Sequence, residues 1–205
     1  MYIPPIFQHD NVIEVRDFIA KNGFGILINQ VNGKLWGTHI PLILEIEEDG
    51  SSFLFGHVAS ANKQWTSFKN DQNVLALFTG PHSYISSSWY EKENVPTWNY
   101  TAVHIYGTVQ VLDHKELIES LKVLTNKYEH GNKNPVRVEA LSEKTMNQNR
   151  GLVGFKIKIT EIQSARKLSQ NRSEIDHQNI TDQLDNSDNH SSRMLSNEMK
   201  KDRTE

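Results

Sequence analysis

With 205 residues and 23.6 kDa, 37% of them hydrophobic and 23% charged, the chain can bury one ordinary core plus a small appendage, which excludes two full domains and wholesale disorder. The absence of Cys removes disulfides, thiolate metal sites and Cys nucleophiles together. A net charge of -3 and a pI near 6.3 argue against a protein that coats nucleic acid by charge alone, and leave room only for a local basic patch.

The chain opens on Met1-Tyr2-Ile3-Pro4-Pro5, without a basic n-region or an apolar h-region, and no stretch approaches the run of about 18 apolar residues that a membrane span needs. A soluble, cytoplasmic protein is the expectation. Asn11 followed by Glu14 reads as a capping box for a helix that turns Val15, Phe18 and Ile19 inward, with Gly23 as its stop. Apolar alternation then dominates up to Val111. Phe24 to Ile28 and Leu35 to Leu44 flank Asn32-Gly33, whose tolerance of positive φ suits a tight hairpin. A second hairpin is expected at Asp49-Gly50, ahead of Phe53-Leu54-Phe55. Asn73 to Phe78 is a nearly continuous apolar run, as in a strand covered on both faces. From Ala102 to Val111 the residues Val103, Ile105, Gly107, Val109 and Val111 share one face. Asp113 and Glu116 repeat the capping signal before Leu117, Leu121, Leu124 and Tyr128, with Gly131 as the stop. Phe155, Ile157 and Ile159 alternate with Lys156, Lys158 and Thr160. The expected fold is mainly β (α+β), with about six strands, enough to close a barrel, and flanking helices.

Beyond Arg172 the composition turns polar, yet Ile175, Ile180 and Leu184, then Met194, Leu195 and Met199, mark two short amphipathic segments around Asn186-Ser187-Asp188-Asn189. These residues predict a helical hairpin that is marginal unless it docks. The domain expectation is 1–172 for the barrel and 173–205 for the helical extension.

The chain has no Gly-rich phosphate loop, no H-E-x-x-H and no G-x-S-x-G. Its nine His are scattered, and no metal site is expected. Four dense segments carry the remaining signal. Gly56 to Trp65 leaves a strand for a short helix. Its Ser60, Asn62 and Lys63 suit a phosphate, or Ser60 or Asn62 simply caps the turn with Trp65 in the core. Gly80 to Tyr90 and Val95 to Tyr100 place aromatic rings beside hydroxyls and amides. They fit a planar heterocycle, a subunit interface, or a loop packed across a barrel mouth. Lys167 to Arg172 sets two cations around three polar side chains, suited to an anion or to a solvated strand end.

On these segments the chain resembles the PaiB family of FMN-binding negative transcriptional regulators, relatives of the flavin-binding split-barrel proteins. The resemblance extends to Met1-Tyr2-Ile3-Pro4, Thr38-His39-Ile40-Pro41-Leu42, Ala102-Val103-His104 and Gly151-Leu152-Val153-Gly154-Phe155, and runs over nearly the whole chain. Lys63 departs from it, because the family tends to carry Pro there. The resemblance implies a split β-barrel that forms a homodimer with FMN in a groove between subunits. His57, Ser60 and Asn62 then stand on the phosphate side, where Lys63 adds a charge of its own and not of the family's, Thr38 and His39 line the groove, Trp65 walls it, and Gln170 and Arg172 arrive from the partner. It further implies a repressor affecting protease production and sporulation, touching DNA directly or indirectly, with no catalytic residues of its own. Arg150, Lys156, Lys158, Arg166, Lys167 and Arg172 form the one local positive excess. A flavin-dependent oxidoreductase or carrier is the alternative, since FMN brings its own redox chemistry. A scaffold that uses its aromatics only as interface is the third reading.

Overall fold

The computed structural model describes residues 1–9, 11–47, 49–68 and 72–203. Helix α1 (Val12–Lys21) precedes strands β1 (Phe24–Val31), β2 (Lys34–Pro41), β3 (Ile43–Ile46), β4 (Ser52–Ala59), β5 (Gln72–Ile85) and β6 (Thr97–Val111). Helix α2 (His114–Glu129), the single turn α3 (Glu143–Met146), strand β7 (Leu152–Lys167) and helices α4 (Glu174–Asp185) and α5 (His190–Asp202) complete the order. The strands form one sheet in the order β2-β1-β5-β6-β7-β4-β3, with β1/β2, β1/β5, β3/β4 and β4/β7 antiparallel.

Turn chemistry sets the registers. Asn32 and Gly33 adopt φ of 51° and 79°, closing the β1–β2 hairpin at Val31↔Lys34. Gly50, at φ 84°, performs the same office between Ile46 and Ser52, helped by Asp49, which accepts the Ser51 N–H at 2.8 Å. The expected strand across Leu35–Leu44 divides in two, and the sheet has seven strands where about six were expected. Pro41 has no N–H to give, and Leu42 gives its own to the Gly23 carbonyl at 2.8 Å, so the ladder breaks between them. The hydrogen-bonded order stays open, ending on β2 and β3. Strand β5 also runs past its expected end, through Gly80-Pro81 to Ile85, and β6 begins at Thr97. Among the described residues strand β1 pairs with β5 across Leu75 to Leu77, and a proline beyond that point interrupts no ladder with β1. The two aromatic segments, for which a loop across a barrel mouth was one of three readings, therefore lie largely in strands.

The chain folds as two compact units, to each of which β5, β6 and β7 contribute. The first comprises 19–77 and 105–162. Its core holds Leu27, Leu42, Leu54, Phe68, Ile105, Phe155 and Ile157, with the Phe68 and Phe155 rings edge to face at 5.3 Å. Asp113 and Glu116 form the expected reciprocal capping box of α2, and Leu117 and Leu121 face inward. Tyr128 instead stays half-exposed, its hydroxyl over Gly23, where a Cβ would meet it at 3.0 Å.

The second unit comprises 1–18, 78–104 and 163–203. Asn11 caps α1 as expected, accepting the Ile13 N–H at 3.1 Å and donating to Glu14 at 2.7 Å. The helical hairpin packs Ile180, Leu184, Leu195 and Met199 against Ile85, Tyr90 and Leu168. Each such burial contributes about 1.5–3 kcal/mol, which accounts for the stability the hairpin lacks in isolation. Ile175 and Met194 stay outside. The inward row of α5 is Ser192, Leu195, Ser196 and Met199, spaced i, i+3, i+4 and i+7. Its hydroxyls stay satisfied: Ser192 bonds Ser83 at 2.9 Å, and Ser196 donates to the Thr181 carbonyl at 3.3 Å.

Arg166, expected within a basic patch, is only 8% exposed. Its guanidinium donates to Glu14 at 2.7 Å and Glu198 at 3.4 Å and lies 3.7 Å from Asp202, while His9 approaches the same Glu14 oxygen at 2.9 Å. One cation thus joins β7 to α1 and to two successive turns of α5.

Two outcomes are expected. Gly107→Ala drives a Cβ to 2.3 Å from the Lys158 backbone carbonyl and is expected to lower stability by about 1–3 kcal/mol in chemical denaturation. Arg166→Met leaves three carboxylates without their common cation, and a loss of about 2–3 kcal/mol is expected in the same measurement, below the range for fully buried pairs because the acids are part-exposed.

Candidate functional site

In the first unit, strand β4 ends in a tightly tied turn that carries Ser60, Asn62, Lys63 and Trp65, four of the residues singled out from the sequence. Ala59 accepts the Asn62 N–H at 2.9 Å, and the Ser60 N–H donates to Gly151 at 2.8 Å. Asn62 caps the 3-10 turn Lys63–Ser67, accepting from the Gln64 N–H at 3.0 Å. Its amide N–H donates at 3.0 Å to the Thr38 hydroxyl on β2. The Trp65 indole N–H folds back onto the Ser60 carbonyl at 2.8 Å and sets that ring, half-buried, along the turn.

The anchor beneath this turn is Gln64, which the sequence reading passed over. It is fully buried, and its amide donates to the Leu27 carbonyl at 2.9 Å and the Asn29 side chain at 2.8 Å. Asn29, itself buried, donates in turn to Ser67 at 2.8 Å and Gln72 at 3.1 Å. A glutamine in a polar turn reads as a solvated residue; only the neighbouring Asn62 cap hints that the turn is ordered.

Thr38, Ser60, Asn62, Lys63 and Trp65 are therefore gathered around one turn. Asn62 has both ends of its amide engaged inside the protein, so it orders the turn. The groups left for a ligand are the exposed Ser60 hydroxyl, the Lys63 ammonium, which has no ion-pair partner among the described residues, and the hydroxyl hydrogen of Thr38. No Asp or Glu stands between His57 and Phe68. This set of hydroxyl and cationic donors fits a phosphate monoester, and the Trp65 face fits a planar ring.

The remaining predicted residues sit elsewhere. His39 follows Thr38 on a strand and so points to the opposite face, stacked near Phe24 with ring centroids 6.2 Å apart. His57 lies three residues before Ser60, opposite Gly154 in the β4–β7 register. Burial holds its imidazole below the ordinary histidine range. Gln170 and Arg172 belong to the second unit. Gln170 accepts the Leu168 N–H at 2.9 Å and donates to the Arg166 carbonyl, closing a turn in which Ser169 adopts φ 62°. Buried Asn99 donates to the Ser169 hydroxyl at 2.9 Å and supports that conformation. The Arg172 guanidinium lies 4.6 Å from the centroid of the Tyr90 ring.

The second unit also presents an aromatic surface. The Trp98 indole N–H donates to His82 Nδ1 at 3.2 Å, and the Tyr84 ring meets Trp98 at 6.2 Å. Trp98 is 50% exposed. Ser191, at the start of α5, clamps His82 by accepting its N–H and donating to its carbonyl, each at 2.9 Å. Among the described residues no group of His, Asp or Glu is arranged to hold a metal ion, and no helix is long and apolar enough to cross a membrane.

The open seven-stranded sheet with its flanking helices is a split-barrel fold of the flavin-binding type. It superposes on the FAD and heme binding protein from Mycobacterium smegmatis with a TM-score of 0.60, at 13% identity over 78% of this chain and 73% of that one. The flavocytochrome Anf3 from Azotobacter vinelandii gives 0.61, at 14% identity over 80% and 72% of the two chains. The family described as "Putative FMN-binding domain" matches residues 1–161, and the chain belongs to it. The Bacillus subtilis "Protease synthase and sporulation protein PAI 2" is 45% identical over 196 residues, 95% of this chain and 94% of the relative. A shorter match, 35% identical over 99 residues, links it to the Saccharomyces cerevisiae protein YKL070W.

The buried imidazoles give the stability a pH dependence of definite sign. Burial lowers the pKa of His57, and also of His104 and His177, below the ordinary histidine value of 6.5. The folded chain therefore binds fewer protons than the unfolded one just below that pH. The resulting stability is complete above about pH 6.5 and is lost as the pH falls through the lowered folded values. His57→Gln is expected to flatten part of the decline in melting temperature between about pH 7 and pH 5, the other two imidazoles keeping the remainder.

Proposed function

We propose that the protein binds FMN with its phosphate at the Ser60–Lys63 turn and serves as a negative transcriptional regulator affecting protease production and sporulation. The observation that carries the ligand assignment is the acid-free turn, ordered from within by Asn62 and Gln64, that keeps Ser60 and Lys63 available in a chain of the FMN-binding family. The link to protease production and sporulation follows the name of the Bacillus subtilis relative, and the negative regulatory role follows the resemblance to the PaiB family.

Bound flavin supplies the redox chemistry. The chain's own residues bind and orient: Lys63 offers charge to the phosphoryl oxygens, Ser60 and Thr38 donate hydrogen bonds, and Trp65 gives a flat wall. His57, kept neutral by burial, adds no charge near neutral pH. In this reading the protein is a homodimer in the cytoplasm, with Arg172 reaching the groove of the partner while Gln170, both ends of its amide engaged in its own chain, orders the turn before it, and its effect on DNA is direct or passes through another protein. The outer face of β1 and β2 supports the dimer: Phe24 and Leu35 are 66% and 69% exposed, beside the partly buried Ile26 and Ile28, an apolar surface suited to a second copy.

Native mass spectrometry with added FMN tests the reading. The expected result is a dimer carrying two FMN, with Ser60→Ala/Lys63→Ala binding about tenfold more weakly at unchanged melting temperature, as loss of a charge-assisted contact implies. A wild-type monomer that takes up no FMN would overturn it. Turnover of NADH or NADPH by the flavin-loaded protein would move the function to a flavin oxidoreductase.

A further inference from the structure

Within the first unit, an open cleft of about 450 Å³ lies between β3, β4 and helix α2. Ile43 and Phe55, direct partners across the β3/β4 ladder, form its sheet side, and Val123 of α2 faces them. Glu45, one pleat along from Ile43, and Glu119 stand at the rim, and Lys115 is the sole cation among the residues that line it. The carboxylates differ in what they already do. Glu119 holds Lys122 at 2.7 Å, and Glu116 serves the capping box of α2. Glu45 has no hydrogen-bond or ion-pair partner among the described residues.

The same sheet face shows which chemical group this combination accepts. Lys156 lies opposite Phe55 in the β4/β7 register. It carries its ammonium to 5.7 Å from the centroid of the neighbouring Phe53 ring and 3.6 Å from Glu116, so an alkylammonium rests between an aromatic ring and a carboxylate. Phe55, two residues along β4 from Phe53, and Glu45, diagonal to it across the β3/β4 ladder, set a second ring near a second carboxylate, and among the described residues no lysine or arginine of the chain lies over the Phe55 ring. An apolar floor bounded by an unneutralised carboxylate is complementary to a cation with a hydrocarbon body.

We infer that this cleft binds an amphipathic primary ammonium, its tail on Ile43, Phe55 and Val123 and its charged head at Glu45. The site is separate from the Ser60–Lys63 turn and does not depend on flavin binding. A regulator equipped this way can read a small organic amine independently of its flavin.

Isothermal titration calorimetry of the full chain with n-hexylammonium tests the inference, with n-hexanol and hexanoate as matched neutral and anionic probes. Saturable one-to-one binding of n-hexylammonium is expected, with much weaker binding of n-hexanol and none of hexanoate. Glu45→Gln is expected to weaken n-hexylammonium about fivefold, the upper reach of a single exposed ion pair. Val123→Trp, which fills the cleft from an exposed helix position, is expected to abolish binding while FMN uptake stays unchanged. The inference is overturned by no saturable heat with n-hexylammonium, or by equal binding of n-hexanol. Wild-type affinity in Glu45→Gln would do the same, and that exposed isosteric change decides the matter even if the tryptophan variant folds poorly.

Discussion

A primary amide inside an apolar core is stable only when its hydrogens find acceptors, and Gln64 meets that condition by binding the Leu27 carbonyl and the Asn29 side chain of β1. Its position is therefore dictated by a strand remote in sequence. The residues on either side of it, Asn62, Lys63 and Trp65, inherit that position. Asn62 then ties the same turn to Thr38 on β2. The result is a short 3-10 turn held at two points, whose outward groups, Ser60 and Lys63, keep a constant arrangement. Preorganisation of this kind lowers the ordering cost that a ligand otherwise imposes.

The second unit depends on polar groups in a different way. Helix α5 buries two serines among its four inward residues, a weak apolar face for a helix that must dock. Arg166 adds what packing alone does not, because Glu198 and Asp202 lie one turn apart on α5 and both meet its guanidinium, as does Glu14 of α1. Such a cluster is worth less as net stability than as register: slipping α5 by one residue would separate the acids from their cation and face Leu195 and Met199 away from Ile85 and Leu168. The same helix start clamps His82 and Ser83 through Ser191 and Ser192, which couples the exposed Trp98–His82 pair to the docked hairpin.

Local chemistry was readable residue by residue. Asn32-Gly33 and Gly50 adopt the positive φ their turns require, and Asp113 with Glu116 caps α2 reciprocally. The polar C-terminal segment is a helical pair because Ile180, Leu184, Leu195 and Met199 kept helical spacing. Errors arose where a local rule met a distant partner. The apolar run reads as Asn73 to Phe78, yet β5 continues through Gly80-Pro81 to Ile85. Leu35 to Leu44 reads as one strand, yet the Leu42 N–H is captured by Gly23. Arg166 reads as part of a solvent-facing basic stretch, yet three carboxylates enclose it.

For the candidate site, the residue types around Ser60, Asn62, Lys63 and Trp65 offered two readings, a phosphate turn or a capped strand-to-helix turn, and the cap is present in Asn62, which accepts the Gln64 N–H. Alternation also separates Thr38 from His39 as soon as β2 is placed. Turns, caps and periodicities were thus legible from residue order, because each of them acts over a few residues. Tertiary structure alone decided that Gln64 is the anchor, that the Asn62 amide faces inward, and that Phe55 and Glu45 border a cleft beside α2. The physical reason is range: burial, hydrogen-bond satisfaction and ion pairing are set by which distant segments meet, and no local pattern encodes that meeting.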